Sequence, residues 1–474
     1  MHLNKNLVIS FIIFLPLITL AQKSISKPTK AQLEWHDMEF YLFMHFGPNT
    51  FTDLEWGHGN EKEEVFNPKD LDCEQWCRIA KAAGAKGIII TAKHHDGFCL
   101  WPSKYSKHTV RESKWKNGKG DVLKELSAAC KKYGLKFGVY ISPWDRNHPD
   151  YGTEKYNDVF VNMMKEIVKN YGPIWELWWD GANGEGPNGK KQIYDWHRFE
   201  KTVRDLSPNT VVFSDIGPDI RWCGNENGIA GITNWNTLDT AGFTRGAGGP
   251  PQDTLNTGNA NGKNWIPAEC DVSIRPGWFY HKSEDDKVKT PEQLFNLYLK
   301  SVGRGANLLL NVPPDGRGLI TQFDSASLVG FKKLLQKNLA DNLFKHSATY
   351  HLYHGILKKA PALSDGNFKT IEKIEETVSP SVGIACTQNK KINCIVLNEN
   401  LANGQHCSKF KLLLFNAKDE LVKEIYGTTI GKKRFITFPA ITINAIELTI
   451  EVQNGTTAIS EIEAYLINEG LIEK

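Results

Sequence analysis

The feature that most constrains the fold is a regular alternation of strand-like and helix-like segments, which begins near residue 36. The strand-like segments are apolar, rich in β-branched or aromatic residues, and most run into glycine or polar residues; they cover 40–47, 86–95, 136–144, 174–181, 210–217, 267–275 and 306–316. Between and after them, helical spacing predicts helices at 73–84, 121–134, near 154–170, near 190–206, 291–303 and 324–338. Repeated strand–helix units of this kind predict a parallel sheet covered by helices.

Two architectures satisfy that pattern, a doubly wound open sheet and a closed barrel. The first strand is not followed by the G-x-G-x-x-G fingerprint of dinucleotide-binding sheets. The chain has 474 residues, enough for a barrel of about 250 residues or more and a second, smaller domain. We therefore expect an irregular (β/α)8 TIM-like barrel within residues 22–345, with its least regular part between 218 and 266.

The pattern of apolar and polar residues changes past about residue 345. From there, turn residues separate short runs of alternating apolar residues, and the spacing typical of helices is absent. This pattern predicts an antiparallel β-sandwich over residues 346–474. The segments "LSDGNFKT" (363–370) and "ISEIEAYLI" (459–467) resemble the opening and closing strands of discoidin-like, galactose-binding sandwiches. A sandwich of this kind could bind carbohydrate or only buttress the barrel.

The N-terminus indicates export. Lys5 precedes an apolar run from Leu7 to Leu20, and small residues at Thr19 and Ala21 fit signal-peptidase cleavage after Ala21. The run is too short to span a bilayer comfortably, and no later segment predicts a membrane span. We expect a periplasmic or secreted protein without stable membrane insertion.

Charge and cysteine usage narrow the class further. The 57 basic and 54 acidic residues nearly cancel, which argues against a nucleic-acid partner. The nine cysteines are odd in number and form neither a disulfide framework nor a CxxC zinc pattern, so buried free thiols are expected. The sequence carries no signal for an oligomeric state. The 14 tryptophans fit either a carbohydrate site or an aromatic-rich core.

Polar side chains collect where the predicted strands end. In a parallel barrel, the carboxyl ends of all strands meet at one face, and that face carries the active site. The residues expected there are His45, His94, His95, Tyr140, Ser142, Asp180, Asp215, Glu269, Arg275 and Asn311. So many polar groups at one end indicate a functional site.

Five stretches together resemble the α-L-fucosidases of glycoside hydrolase family 29: "FMHFGPNTFTDLEWG" (43–57), "KHHDGFCLWPSKYSKHTV" (93–110), "FGVYISPWDRN" (137–147), "ELWWDGANG" (176–184) and "SIRPGWFYH" (273–281). The resemblance covers about residues 35–320, nearly the whole predicted barrel. It implies that Asp180, at the end of the Trp-Trp strand, is the nucleophile. A structural role for Asp180, accepting hydrogen bonds in the following turn, is the alternative.

Cleavage of a glycosidic bond needs two carboxyl groups, one to attack the anomeric carbon and one to protonate the leaving oxygen; a separation of about 5–5.5 Å would imply retention of configuration. Two glutamates compete for the second role. Glu226 lies in "WCGNENG", which resembles the Trp-x-Gly-Asn-Glu-x-Gly motif of the branch that acts on α-1,3/1,4-linked fucose in Lewis-type glycans. Glu269 could instead pair with Arg275, which would lower its pKa and suit it poorly as an acid. We expect Glu226 to be the acid/base.

The resemblance also implies a set of sugar-binding residues: His45, Glu55, Trp56, His94, His95, Tyr140, Trp178, Glu269, Arg275 and Trp278. Adjacent His94 and His95 could suggest a metal site. On a strand, however, neighbouring side chains point to opposite faces and would chelate poorly. We therefore expect no metal and no cofactor.

The function expected from the sequence is an exo-acting, retaining α-L-fucosidase that hydrolyses α-1,3/1,4-linked fucose through a covalent fucosyl-enzyme. Its partner would be a fucosylated oligosaccharide or glycoconjugate. Two alternatives stay open: a broad or α-1,2-acting α-L-fucosidase, and a glycan-binding protein whose barrel has lost catalysis.

Overall fold

The computed structural model describes residues 25–353, 356–374 and 381–472. Eight parallel strands close into a barrel: β1 (Phe40–Met44), β2 (Gly87–Lys93), β3 (Lys136–Ile141), β4 (Glu176–Trp178), β5 (Val211–Ser214), β6 (Ile220–Trp222), β7 (Ala268–Ser273) and β8 (Asn307–Asn311). Each strand pairs with its neighbours in sequence, and β1 closes the ring by pairing with both β2 and β8. The predicted barrel is confirmed.

Strand β6 lies in the region that the sequence predicts to be irregular. It has three residues and begins six residues after β5 ends, with no helix between the two strands. Glycine and proline at 217 and 218 interrupt the apolar run, so no strand-length pattern marks it in the sequence. The rest of this region forms a short helix, Gln252–Thr257, and a two-residue antiparallel ladder between 237–238 and 264–265.

Helices cover the outside of the barrel at Cys73–Ala83, Val122–Tyr133, Glu154–Tyr171, Trp196–Leu206, Pro291–Lys300 and Gln322–Leu339. Two shorter helices lie elsewhere: Lys30–His36 precedes β1 and inserts Trp35 among the interior aromatic rings, and Pro48–Thr52 lies in the loop after β1. The helix predicted to start near residue 190 begins later because the Asp195 side chain caps it by accepting from the backbone N–H of Arg198. Gly84 and Gly134 end two helices at φ of +82° and +64°, a backbone conformation that favours glycine.

Aromatic side chains fill the interior of the barrel. The Trp178 ring stacks on Phe213 with centroids 4.0 Å apart and on Tyr140 with centroids 5.3 Å apart. Phe43 packs against Trp178 from β1 at 5.4 Å. These rings form a rigid, largely buried platform across the strands near their carboxyl ends.

The C-terminal unit is an antiparallel β-sandwich with its own apolar core. Its strands span Ala348–Tyr353, Ile356–Lys359, Glu372–Ile374, Ser381–Glu399, Cys407–Phe415, Leu421–Gly427, Arg434–Gln453 and Thr457–Tyr465. The closing strand coincides with the predicted segment 459–467. The predicted opening strand at 363–370 is wrong: these residues follow a 3-10 turn and form no strand, because Ser-Asp-Gly-Asn favours turns.

The sandwich contacts the barrel through apolar packing, in which Val396 and Tyr465 join the core of the barrel helices, and through polar and ionic interactions. Lys433 forms an ion pair with Glu39, Nζ to Oε1 at 2.6 Å. The backbone N–H of Phe435 donates to the carbonyl of Gly303 at 2.8 Å. The domain boundary at residue 345 stays a prediction. It falls between the last barrel helix, Gln322–Leu339, and the first sandwich strand, Ala348–Tyr353.

Two further features concern export and thiols. The predicted signal peptide, residues 1–21, lies outside the described residues. Among the residues that are described, no helix combines the length and apolarity needed to cross a membrane. All nine cysteines are buried free thiols, as predicted.

Candidate active site

A pocket of about 140 Å³ opens at the carboxyl end of the barrel strands. Its wall consists of Phe43, His45, Glu55, Trp56, His94, His95, Tyr140, Trp178, Asp180, Ala182, Glu226, Asp271 and Trp278. Ten of the twelve residues predicted for the site lie in this wall; Glu269 and Arg275 do not. The structure therefore brings together residues from segments as far apart in sequence as 43 and 278.

Asp180 lies two residues beyond the end of β4, and both of its carboxylate oxygens are held. Oδ1 accepts from the backbone N–H of Ala182 at 2.7 Å, and Oδ2 accepts from the Tyr140 hydroxyl at 3.0 Å. A quarter of the side chain is exposed, at 25 %. Burial raises the pKa of Asp180, and the two hydrogen bonds oppose that rise because they favour the ionised form. The result is a carboxylate of fixed orientation at the pocket.

Glu226 lies in the loop after β6, the three-residue strand that no apolar run marks in the sequence. Its Oε2 accepts from the indole N–H of Trp278 at 3.3 Å. Burial raises the pKa of Glu226, the nearby carboxylates of Asp180 and Glu55 raise it further, and the Trp278 hydrogen bond opposes them. A raised pKa is what a proton donor at neutral pH requires.

His45 is held in one tautomer by Asn311. The Asn311 amide nitrogen donates to the carbonyl of Trp278 at 2.7 Å, which leaves Oδ1 as an acceptor toward His45 Nδ1 at 2.8 Å. His45 Nδ1 must then carry the proton, and its Nε2 keeps a lone pair. Burial lowers the pKa of His45 to about 3, so the ring is neutral.

His95 is oriented in the same way by Ser142. The Ser142 hydroxyl donates to the carbonyl of Trp144 at 2.9 Å, so its oxygen accepts from His95 Nδ1 at 2.8 Å. The His95 Nε2 lone pair faces Oδ2 of Asp180 across 3.7 Å. Burial lowers the pKa of His95 to about 3, so the ring is a neutral acceptor. Because His95 Nε2 and Asp180 Oδ2 are both acceptors, they do not bond each other, and a ligand hydroxyl beside them can donate a hydrogen bond to either one.

His94 lies beside His95, with ring centroids 4.1 Å apart. The expectation that these two side chains point to opposite faces is wrong, because β2 ends at Lys93 and both histidines lie in the following turn. Burial lowers the pKa of His94 well below its usual value. The described residues contain no group of three or more His, Cys, Asp and Glu placed to hold a metal ion.

Glu55 and Trp56 shape the rim. Glu55 accepts from the backbone N–H groups of Trp278 and Phe279 at 2.8 and 3.0 Å, and thereby holds the loop that carries Trp278. Trp56 is 53 % exposed and stands edge-on to His95, with centroids 5.4 Å apart. An exposed aromatic ring at a polar pocket offers a stacking surface for the apolar face of a sugar.

Glu269 lies below the pocket. It is the second residue of β7, near the amino end of the strand, and it is fully buried. Its carboxyl group accepts from the Trp178 indole at 2.8 Å and hydrogen-bonds the Tyr41 hydroxyl. The sequence placed Glu269 at a strand end, so its assignment to the pocket wall is corrected.

Arg275 is also outside the pocket wall. Its guanidinium pairs with Asp324 at 2.7 Å and with Asp285 at 3.0 Å. The suggested Arg275–Glu269 pair is therefore wrong, because Glu269 lies at the opposite end of β7. These contacts anchor the loop after β7 to the last barrel helix, Gln322–Leu339.

The structure adds Phe43, Ala182 and Asp271 to the wall. Asp271 follows Glu269 by two positions on β7, so both side chains lie on the inner face of the barrel. That period-two relationship is the signal that could have identified Asp271 from sequence.

A closed (β/α)8 barrel whose small pocket presents the carboxyl groups of Asp180 and Glu226, neutral histidine acceptors and a tryptophan rim has the features of a glycoside hydrolase. The family model described as α-L-fucosidase matches residues 19–339. The chain therefore belongs to the α-L-fucosidase family, which implies fucosylated glycans as substrates.

Individual relatives agree with that assignment. The chain is 37 % identical over 460 residues to α-L-fucosidase 1 of Arabidopsis thaliana, covering 93 % of this chain and 87 % of the relative. A solved family 29 glycoside hydrolase from an unknown rumen bacterium is 38 % identical with a TM-score of 0.83, covering 94 % of this chain and 78 % of that one. A family 29 fucosidase of Ruminococcus gnavus, solved in complex with fucose, is 30 % identical with a TM-score of 0.84, covering 95 % and 97 %.

Proposed function

We propose that the protein is an exo-acting, retaining α-L-fucosidase that removes α-1,3/1,4-linked fucose from Lewis-type branched glycans. The observation that carries this proposal is the pair of differently supported carboxyl groups, Asp180 and Glu226, on one pocket. Its volume of about 140 Å³ is well below the roughly 300–1,000 Å³ of drug-sized ligand sites, which favours one terminal sugar over an internal chain segment.

The reaction follows from the two environments. The Asp180 carboxylate, held by Tyr140 and Ala182, attacks the anomeric carbon as the bond to the leaving oxygen breaks. Glu226, whose pKa is raised, gives its proton to that oxygen. The fucosyl ester on Asp180 is then hydrolysed by a water whose proton Glu226 takes, which restores both groups.

Sugar recognition would use the neutral histidines and the aromatic walls. The Nε2 lone pairs of His45 and His95 accept hydrogen bonds from sugar hydroxyls. Fucose is a 6-deoxy sugar and needs an apolar wall for its methyl group. Phe43 and the Trp178 platform supply apolar surface on the pocket wall.

The preference for α-1,3/1,4-linked fucose rests on the "WCGNENG" loop, which presents Glu226 to the pocket beside Trp278. The resemblance of this loop to the motif of the α-1,3/1,4-acting branch supports that preference.

The proposed export to the periplasm or medium rests on the N-terminal apolar run. The contacts of Lys433 and Phe435 with the barrel favour a buttressing role for the sandwich.

Proton NMR of the enzyme with a Lewis-type trisaccharide tests the proposal by showing which fucose anomer appears before mutarotation. Early α-fucose is the expected result. Early β-fucose would overturn the double-displacement mechanism. Cleavage of 2′-fucosyllactose but not of the trisaccharide would favour the α-1,2-acting alternative. Cleavage of neither would favour the glycan-binding alternative.

A further inference from the structure

Asp271 is a carboxyl group on the pocket wall that the two-carboxylate reaction does not use. Glu55, the other such group, already accepts from the backbone N–H groups of Trp278 and Phe279. Three residues of β7 face the barrel interior at successive heights. Glu269 binds Trp178 and Tyr41 below the pocket, and Ser273 binds Asn311 above it. Asp271 lies between these levels and lines the pocket with Asp180 and Glu226.

One oxygen of the Asp271 carboxyl group is buried without a hydrogen-bond partner in the part of the chain that the structure describes. The residue is 4 % exposed, and its Oδ1 has no hydrogen-bond partner among the described residues. Leaving a buried polar atom unpaired costs about 1–3 kcal/mol, so such an atom in a pocket wall requires an explanation. A ligand that supplies the missing hydrogen bond is that explanation.

A second cavity identifies which part of the ligand reaches Asp271. This cavity, of about 280 Å³, shares Trp178, Asp180, Glu226 and Asp271 with the pocket and adds Phe213, Asp215 and Trp222. Glu226 must reach the glycosidic oxygen, so the boundary between the two spaces is where the scissile bond lies. Asp271 lines both spaces, so it stands beside that bond and borders the space that the leaving group would occupy.

We propose that Asp271 is a specificity-determining residue that hydrogen-bonds a hydroxyl of the leaving sugar next to the scissile oxygen. This inference rests on the proposed function and adds the group that selects a sugar as leaving group. Asp215 is a weaker candidate for the same contact, because its two oxygens already accept from Ser214, Ile216 and Gly246.

The environment of Asp271 favours its neutral, protonated form, which can donate a hydrogen bond. Burial raises its pKa well above the usual range, and the neighbouring acidic groups Cys223, Glu226 and Glu269 raise it further. A neutral carboxylic acid offers one donor and one acceptor, the complement of a sugar hydroxyl. It also adds no negative charge next to Asp180.

Two variants and two substrates test the inference. Asp271→Leu has nearly the same shape and no hydrogen-bonding group, whereas Asp271→Asn keeps a donor and an acceptor. The substrates are the fucosylated oligosaccharide that the wild type cleaves, Lewis trisaccharide or otherwise 2′-fucosyllactose, and α-L-fucosyl fluoride, which has no leaving sugar. The measured quantity is kcat/KM, with thermal unfolding recorded for each variant.

We expect Asp271→Leu to lose about 5- to 150-fold more kcat/KM on the oligosaccharide than on the fluoride, as an unmade hydrogen bond of about 1–3 kcal/mol requires, and Asp271→Asn to recover most of that difference. Equal losses on both substrates would overturn the inference, because Asp271 would then act on the fucose or on protein packing. Wild-type hydrolysis of neither an oligosaccharide nor the fluoride would instead overturn the proposed function itself.

Discussion

The hydroxyl of Tyr140 lies 3.0 Å from Oδ2 of Asp180 and donates a hydrogen bond to it. Tyr140 is itself held by stacking on Trp178, at 5.3 Å between centroids, and near-parallel to His94 at 5.8 Å. The proposed nucleophile is thus tied to the rigid aromatic platform inside the barrel. Reactivity at Asp180 should therefore depend on the Tyr140 hydrogen bond that orients its carboxylate.

Replacing Tyr140 by Phe tests this relationship. The hydrogen bond favours the ionised form of Asp180, so its loss should raise the pKa of that carboxyl group. We expect kcat/KM to fall about 10- to 100-fold, as a hydrogen bond to a charged group of about 1.5–3 kcal/mol requires. The acid limb of the pH–kcat/KM profile should move to higher pH, because Asp180 must be ionised to attack.

Tyr298→Phe is the matched control for that experiment. Tyr298 is also a largely buried tyrosine that donates to a carboxylate, Glu39 at 3.0 Å, but it lies at the contact with the sandwich. Its pH profile should keep the wild-type acid limb. An unchanged acid limb in Tyr140→Phe would contradict the proposed role of the hydrogen bond.

The choice between Glu226 and Glu269 as acid/base is also testable. Glu226→Gln should lower kcat/KM on an oligosaccharide by about 10²- to 10⁴-fold, because general acid catalysis typically contributes that much. The loss on α-L-fucosyl fluoride should be smaller, since fluoride leaves without a proton. The basic limb of the oligosaccharide pH profile should disappear, because no group remains whose deprotonation stops the reaction.

Glu269→Gln is the comparison. Glu269 lies beneath the Trp178 platform and should reach no substrate atom, so the variant should keep the basic limb and lose less activity than Glu226→Gln. Loss of the basic limb in Glu269→Gln, with its retention in Glu226→Gln, would reverse the assignment.

Most of the barrel and of the pocket could be predicted because the residue patterns that specify them lie within single short segments of the sequence. Seven of the eight barrel strands carry their own apolar run, and the pocket residues that were found follow directly from strand ends or from quoted motifs. The sequence pattern does not mark strand β6, because Gly217 and Pro218 separate its three residues from the preceding apolar run, whereas the equally short β4 lies inside a longer apolar segment. Its stability comes from the pairing of Arg221 and Trp222 with β7, a contact between segments 47 residues apart.

The predicted positions of Glu269 and Arg275 in the pocket wall were wrong because they also depend on contacts between distant segments. Glu269 lies near the start of β7 and Arg275 lies just after its end, and spacing along the sequence does not show which end of a strand faces the pocket. Only the register of β7 against β8, with Glu269 opposite Asn307 and Ser273 opposite Asn311, sets their heights in the barrel. Asp271 is found by the same register, halfway between them.

Glu269 should also make stability depend on pH. Burial raises its pKa to about 7, despite hydrogen bonds from Tyr41 and Trp178 that lower it. The folded state then binds more protons than the unfolded state, in which the glutamate has its ordinary pKa of 4.5, so stability should fall as the pH rises from about 4.5 to about 7. In thermal unfolding at pH 5 and pH 8, Glu269→Gln should show a smaller drop in Tm than the wild type. Glu154→Gln, at an exposed helix start, should keep the wild-type drop; an equal drop in Glu269→Gln would contradict the argument.

The ion pair between Glu39 and Lys433 should stabilise the docking of the sandwich on the barrel. The two side chains are only 21 % and 16 % exposed, and the Tyr298 hydroxyl also donates to Glu39. Burial alone would raise the pKa of Glu39, but Lys433, Lys86 and the hydrogen bonds lower it to about 2. Because the folded-state pKa lies below the unfolded one, this stabilisation should be present above about pH 4.5 and lost as the pH falls toward 2.

Lys433→Met should therefore lower the free energy of unfolding at pH 7 by about 3 kcal/mol, since it leaves a largely buried carboxylate without its partner. Glu39→Gln with Lys433→Met should recover part of that loss, because neither charge then remains. The control is Lys432→Met, which removes the neighbouring pair with Asp37; there the aspartate is 67 % exposed, so the change should stay within about 1 kcal/mol. Denaturant unfolding at pH 7 and pH 4 measures all three variants. Equal losses of unfolding free energy in Lys433→Met and Lys432→Met would contradict this prediction. The Glu39–Lys433 pair would then contribute no more than a surface ion pair, and other contacts would hold the sandwich on the barrel.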